Sequence, residues 1–287
     1  MATLKVKNRK SNEIVEIKED KTTLFLYNTI LGRIILKLFI LSFLSKIIGL
    51  FLDSKLSKVL INPFIKKHNI DLNDYEKEYK NFNEFFSRKI TPKARKININ
   101  KKSLISPCDA KLTVYQINEN SDFLIKGSYY KLEDLIESSL ANSYINGQIL
   151  IFRLCVDDYH RYSYIDNGYK SKNTFIKGVL HAVRPIALSK YNIYKKNSRE
   201  WSILHTENFG DVISIEVGAL LVGKIVNHHE NHKFKKGEEK GYFKFGGSTI
   251  CLVFKENTVK IDKDILDNSL NNIETIVKLG EIIGKKN

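Results

Sequence analysis

Cysteine is scarce in this chain. Cys108, Cys155 and Cys251 are odd in number and show no CxxC spacing, which argues against a disulfide framework or a zinc ribbon and makes a reducing compartment the default. Histidine is nearly as sparse, with seven residues and no HExxH pair. The only cluster, His228, His229 and His232, lies among Asn227, Glu230, Asn231 and Lys233 without a nearby cysteine, so it reads as a solvated turn rather than a metal site. No apolar run lies close enough to Met1 for a secretory signal, because the opening residues include Lys5, Lys7, Arg9 and Lys10. No repeat of 20–50 residues is evident. Acids are also short: 32 against 47 lysines and arginines, a formal net charge of +15. That imbalance favours an anionic partner, either nucleic acid or an acidic membrane surface. Arginine is sparse beside lysine and there is no RNP-like, helix-turn-helix or zinc-finger pattern, so a nucleic-acid partner is not expected.

What is present suits a folded protein: 43% hydrophobic and 28% charged residues over 287 positions, enough for one large domain with an appendage. The longest apolar stretch, Ile34–Leu52, reads IILKLFILSFLSKIIGLFL. Its length approaches a bilayer span, but Lys37 and Lys46 lie inside it, and a mid-span lysine costs about 2.5–3.5 kcal/mol. With Arg33, Lys55 and Lys58 flanking it, the stretch reads first as a helix lying in an acidic interface, with a buried core helix and a true span as the alternatives.

The texture divides the chain. Residues 1–20 read as a short β-type arm, and Leu24 to about Arg88 as helical. Phe82, Phe85 and Phe86 fall at helical spacing, the pattern of a core stripe. After Ser106, short runs rich in valine, isoleucine and phenylalanine alternate with turn residues at Gln148–Cys155, Ser171–Ala182, Trp201–Leu204, Val212–Ile225 and Ser248–Phe254. A short helix is expected at Leu132–Ser139 and another from Asn271 to Ile283. The fold class is therefore α+β: a helical, membrane-associated region over 1–100, then a mainly antiparallel, barrel-like β core over 101–287.

Seven of the 15 glycines fall between Gly210 and Gly247, and the last two precede Ser248-Thr249 and an apolar strand. A serine hydroxyl attacks its own preceding carbonyl only from a sparsely populated backbone geometry, and glycine removes the Cβ that would block the approach. Gly-Gly-Ser alone reads as a turn entering a strand. Its neighbours change that reading. Lys236-Gly237-Glu238 precedes Gly246-Gly247-Ser248-Thr249, and upstream stand FFSRKI (85–90), SPCDAKL (106–112), IKGSYYKLEDLI (125–136), DYHRYSYIDNG (158–168) and VGALLVGKI (217–225). In this order the blocks resemble the phosphatidylserine decarboxylase family, from about Phe82 to Val253.

The resemblance implies self-cleavage between Gly247 and Ser248, with Ser248 as nucleophile and precursor of a covalent pyruvoyl cofactor. It implies Asp109 as the acid of a serine–histidine–aspartate relay and His160 as a proton-transfer residue. Many members carry a second histidine where this chain has Ser163; a serine cannot act as a base near neutral pH, so either His160 or His181 takes that role. Ala110 also departs from the family, which often has glycine after the aspartate. The implied reaction is decarboxylation of phosphatidylserine to phosphatidylethanolamine in phospholipid biosynthesis, needing no metal or nucleotide. The implied partners are phosphatidylserine and an anionic membrane surface, with the two cleavage fragments remaining associated and a homodimer left open. The implied location is peripheral, on the cytoplasmic face of the cell membrane. A membrane-peripheral lipid-binding protein that does not cleave itself is the alternative, supported by Ser163.

Overall fold

The structure, a computed structural model, describes residues 4–17, 21–39, 42–120, 122–125, 128–179, 181, 193–219, 224–245 and 248–287. Its centre is a large sheet whose strands run, in spatial order, His232–Phe234, Gly168–Lys170, Arg199–Thr206, Gly210–Gly218, Ser248–Phe254, Gln148–Leu154, Ala110–Gln116, Ile273–Val277, Leu4–Asn8 and Ile14–Ile17, with Thr174–Ile176 also paired to Arg199–Thr206. Every neighbouring pair is antiparallel except Leu4–Asn8 with Ile273–Val277. The α+β class holds, but among the described residues the sheet does not close into a barrel. The exposed Ile14–Ile17 strand ends it on one side and the three-residue His232–Phe234 strand on the other.

The middle strands are buried on both faces. In Ser248–Phe254 every residue is buried, and the period-two alternation divides them between two cores. Ile250, Leu252 and Phe254 face a core with Leu150, Phe152 and Leu154, while Cys251 and Val253 face another with Ile149, Ile151 and Ile213. The first face is covered by a small antiparallel sheet of Ile225–Asn227, Glu239–Phe243 and Arg161–Ser163, through Tyr162 and Phe243. A buried ion pair fastens the layers together: Lys240 Nζ on the small sheet lies 2.8 Å from Glu216 Oε1 on the large one, and also donates to Asn227 Oδ1 at 2.8 Å. Such a pair adds little net stability, but removing one partner strands a buried charge at a cost of about 3–5 kcal/mol, so the layer spacing is held. The turn before Glu239 contains Gly237 at φ +81°, where a side chain would be strained and a Cβ would meet Ile97 at 2.6 Å.

The N-terminal strands match the expected β-type arm, and they pair into the main sheet, with Arg9 bonded to Asp262 and Asp264. Helices follow at Lys21–Asn28, Ile30–Phe39, Ser42–Asp53 and Ile61–His68, and the Asn81 side chain caps a short helix at Phe82–Phe86 by accepting from Glu84 N–H. Phe82, Phe85 and Phe86 pack with Leu52 and Ile61, so the aromatic stripe is core. Ile34–Leu52 is divided between two helices, with residues 40 and 41 outside the described residues, and no described helix is long and apolar enough to cross a membrane.

The tail differs from expectation. The helix covers Lys263–Leu270, and Asn271–Ile283 instead contains the Ile273–Val277 strand and the start of Ile282–Lys286. Asn272 at φ +56° ends the helix, and the Ile273, Thr275, Val277 alternation suits a pleated strand paired on both sides.

Candidate active site

Ser248 opens a central strand. Its register partners are Leu154 on one side and Gly218 on the other, and the residue is fully buried. Its side chain shares a face with Ile250 and so lies beneath the small sheet. Ser248 Oγ has no hydrogen-bond partner among the described residues, nor has Thr249 Oγ1. A buried hydroxyl without a partner costs free energy that folding normally avoids, which singles the position out. Gly246 and Gly247, the other half of the expected cleavage site, lie outside the described residues.

The chain reaches His160 directly from Ser248's neighbour. After Leu154 it makes a tight turn, with Asp158 N–H donating to Cys155 O at 2.9 Å and Asp158 Oδ2 accepting from Cys155 N–H at 2.7 Å. Lys111 Nζ, 2.6 Å from the same oxygen, locks the turn. His160 is fully buried, and its backbone oxygen accepts from Phe243 N–H at 2.9 Å, tying it to the small sheet. Its Nδ1 lies 2.9 Å from Asp158 O. A carbonyl can only accept, so Nδ1 carries the proton and Nε2 presents a lone pair. That Nε2 is buried and, among the described residues, has no partner. Burial, assisted by the charge on Arg88, lowers the His160 pKa to about 3, so the ring is neutral near pH 7. The Phe86 ring lies 4.0 Å from the imidazole and 5.0 Å from the Phe245 ring, three residues before Ser248.

Asp109 is also fully buried, but its carboxylate faces other partners. Oδ1 accepts from Leu279 N–H at 2.8 Å and Arg95 Nε at 3.3 Å; Oδ2 accepts from Arg95 Nη2 at 2.8 Å and Lys278 Nζ at 3.0 Å. Burial alone would raise its pKa, yet Arg95, Lys278 and the Leu279 amide together hold it below the usual carboxylate range. Among the described residues no histidine bonds to it. Asp109 thus joins Arg95 to the Lys278–Leu279 turn, while His160 is tied to the small sheet that covers the face of Ser248. Ser163 is buried, its hydroxyl without a partner among the described residues, and its N–H donates to Pro107 O at 2.9 Å, two residues before Asp109.

His181 is joined to Ser248's other neighbour. Asn197 Nδ2 donates to His181 O at 2.8 Å and to Gly218 O at 2.7 Å. The His181 ring, however, lies 6.3 Å from that of Tyr27, a member of the core on the opposite face from the Ser248 side chain. Burial, then Lys196, lowers its pKa. Of the two candidates, His160 lies on the covered face.

The sequence reading did not single out Arg88, Arg95 or Lys278. Arg88 was within reach, because an arginine directly after a buried phenylalanine stripe has no solvent in which to place its charge. Of the remaining clusters, His229, His232 and Glu238 bring three ligand atoms within 4.8 Å of one another, partly exposed, with the two imidazoles stacked at 3.8 Å. A cleft of about 730 Å³ is lined by residues including Lys55, Lys58, Lys77, Lys80, Glu78 and Glu84, and contains neither Ser248 nor His160.

Comparison with known proteins agrees over almost the whole length. The family model described as phosphatidylserine decarboxylase matches residues 82–285. The chain is 52% identical over 285 residues to phosphatidylserine decarboxylase proenzyme 2 of Clostridium acetobutylicum, covering 98% of each chain. It is 46% identical over 293 residues to phosphatidylserine decarboxylase proenzyme of Clostridium botulinum, covering 99% of each, and 45% identical to that of Clostridium tetani over 99% of this chain and 98% of the relative.

Proposed function

The chain belongs to the phosphatidylserine decarboxylase family, and we propose that it cleaves itself before Ser248 and decarboxylates phosphatidylserine to phosphatidylethanolamine. The observation that carries this reading is the pair of orphaned buried atoms, Ser248 Oγ and His160 Nε2, with the imidazole held by Asp158 O in the tautomer of a base. In maturation, Nε2 accepts the hydroxyl proton and Oγ attacks the Gly247 carbonyl, converting the amide to an ester. Elimination releases the Gly247 carboxylate and leaves dehydroalanine at 248, and hydrolysis with loss of ammonia yields the pyruvoyl group. A base with a pKa of about 3 is weak for this task. The developing oxyanion supports the imidazolium as it forms, and the event occurs once per molecule.

The residues present fit a pyruvoyl group, since position 248 is buried at the start of a central strand and its hydroxyl has no hydrogen-bond partner among the described residues. When formed, that group supplies an electron sink for the departure of carbon dioxide. The chain's own contribution is proton management. His160 Nε2 takes a proton from the substrate ammonium and returns one to the carbon that loses the carboxylate, while Phe86 and Phe245 keep water from the carboxylate. Asp109 acts at one remove, through Arg95 and Lys278, in place of a direct relay contact. Intact-mass spectrometry of the purified chain tests the maturation. Fragments 1–247 and 248–287 are expected, the second with a blocked pyruvoyl terminus; a persistent full-length mass with acidic lipid present would overturn it in favour of a lipid-binding protein.

The substrate is a membrane lipid, and the N-terminal helices carry a surface suited to docking on the cytoplasmic face. Ile30, Leu31 and Leu50 are 73%, 60% and 73% exposed, and Leu56 and Val59 similarly so, beside the lysine-lined cleft. Leu50→Glu/Leu56→Glu is expected to weaken co-sedimentation with phosphatidylserine vesicles by at least about tenfold while self-cleavage proceeds. Unchanged vesicle binding would assign docking to another surface.

A further inference from the structure

Arg88 is 1% exposed, yet among the described residues it forms no ion pair and most of its donors are unused. Nη2 donates to Asp157 O at 3.0 Å and Asp158 O at 3.3 Å, both neutral backbone carbonyls. Nε and Nη1, which together carry three N–H bonds, have no partner among the described residues. The Asp158 carboxylate is committed to Lys111 and Cys155 N–H, so it does not neutralise the guanidinium. The Tyr75 ring, 4.5 Å from Cζ, covers one face. A buried guanidinium with this many idle donors is an expensive arrangement unless an anion completes it.

The neighbour decides which anion. Asp158 O accepts from both Arg88 Nη2 and His160 Nδ1, so one carbonyl oxygen joins the guanidinium to the imidazole. Phosphatidylserine carries two anionic groups. Its carboxylate must shed its charge as carbon dioxide leaves, so an arginine gripping it would stabilise the reactant more than the transition state. The phosphodiester keeps its charge throughout, and its ester oxygen is joined to the reacting carbon through a single methylene. A group that delivers a proton to that carbon and a group that holds the phosphodiester must therefore be neighbours.

We propose that Arg88 is the phosphodiester-binding residue of the active site, holding the lipid headgroup through Nε and Nη1 while His160 addresses the adjacent carbon. This assignment rests on the proposed decarboxylase reading, and its test is chosen to be separable from it. Glycerophosphoethanolamine carries the phosphodiester and the amine but no carboxylate, so its binding to the purified enzyme, measured by calorimetry, reports the phosphodiester contact without turnover. Arg88→Gln is expected to weaken that binding by about 10–100-fold, with ethanolamine affected less than about threefold and Arg88→Lys in between. Inorganic phosphate is expected to bind the wild type at least about tenfold more weakly than glycerophosphoethanolamine; equal affinity would overturn the headgroup assignment in favour of a free-phosphate site. With short-chain phosphatidylserine, KM is expected to rise by a similar factor while kcat changes little. A fall in kcat alone, or equal binding of glycerophosphoethanolamine by wild type and Arg88→Gln, would overturn the proposal. If Arg88→Gln does not mature, the same binding comparison in the Ser248→Ala background, where both chains are uncut, decides it. Phosphodiester binding that depends on Arg88 in a protein without decarboxylase activity would sink the activity and leave the anion site standing.

Discussion

Ser248→Ala is expected to yield a single full-length chain with no decarboxylase activity. In the proposed maturation Oγ attacks the Gly247 carbonyl and departs with its carboxylate, while the Ser248 carbons become the pyruvoyl group, so one substitution removes both steps. The change deletes a buried hydroxyl without a hydrogen-bond partner among the described residues, leaving no orphaned group behind. Folding stability should therefore be unchanged or slightly raised, within about 1 kcal/mol. This separates a chemical lesion from a structural one: the variant should purify, melt cooperatively and stay uncut. Cleavage in Ser248→Ala would place the scissile bond elsewhere. An uncut chain that melts much earlier would mean that Ser248 is structural.

His160→Gln should slow self-cleavage by about 10²–10⁴-fold, the range for loss of a positioned acid–base group. Measured on freshly translated wild-type chain, cleavage should be nearly flat from pH 5 to 9, because the ring already presents a bare Nε2 throughout. A titration between pH 5 and 6.5 would assign the proton transfer to another histidine, with His181, whose pKa is lowered by burial and Lys196, the first to replace. The same shift has a stability consequence. Burial first, and Arg88 second, depress the folded-state pKa from 6.5 to about 3. The unfolded chain therefore binds more protons between those values, and stability fully present above about pH 6.5 is lost as pH falls toward 3, at up to about 1.4 kcal/mol per unit. In the uncut Ser248→Ala background, the dependence of the urea midpoint on pH from 4 to 6.5 should flatten when His160 becomes glutamine. Asp157 and Lys111 also face this ring and Asp158 lies two residues away, so the comparison is between variants, not between pH values alone.

The family pattern implies Asp109 as the acid of a relay. Asp109 is built into a cationic cage with Arg95 and Lys278, and the group orienting His160 is a backbone carbonyl. Ser163 stands where many members have a second histidine, and its hydroxyl, without a partner among the described residues, lies in the strand that follows His160. A carbonyl fixes the tautomer as a carboxylate would, but brings no negative charge to stabilise an imidazolium. That difference is consistent with a ring kept so strongly neutral.

What the sequence determined by itself was local and chemical. The aromatic stripe at Phe82–Phe86 and the strand at Ser248–Phe254 were legible because each depends on residue type and short spacing. The tail was misread because an Ile/Val/Leu-rich segment of this length suits a helix or a strand equally, and only pairing with Ala110–Gln116 and Leu4–Asn8 makes Ile273–Val277 a strand. Tertiary structure alone decided which histidine shares the covered face with Ser248, that Asp109 bonds to cations, and that Arg88 lies beside His160 with donors to spare. Those are facts of burial and of contacts between residues up to about 170 positions apart. Desolvation and pairing depend on what the fold places around a group, and that information is absent from any window of sequence read locally.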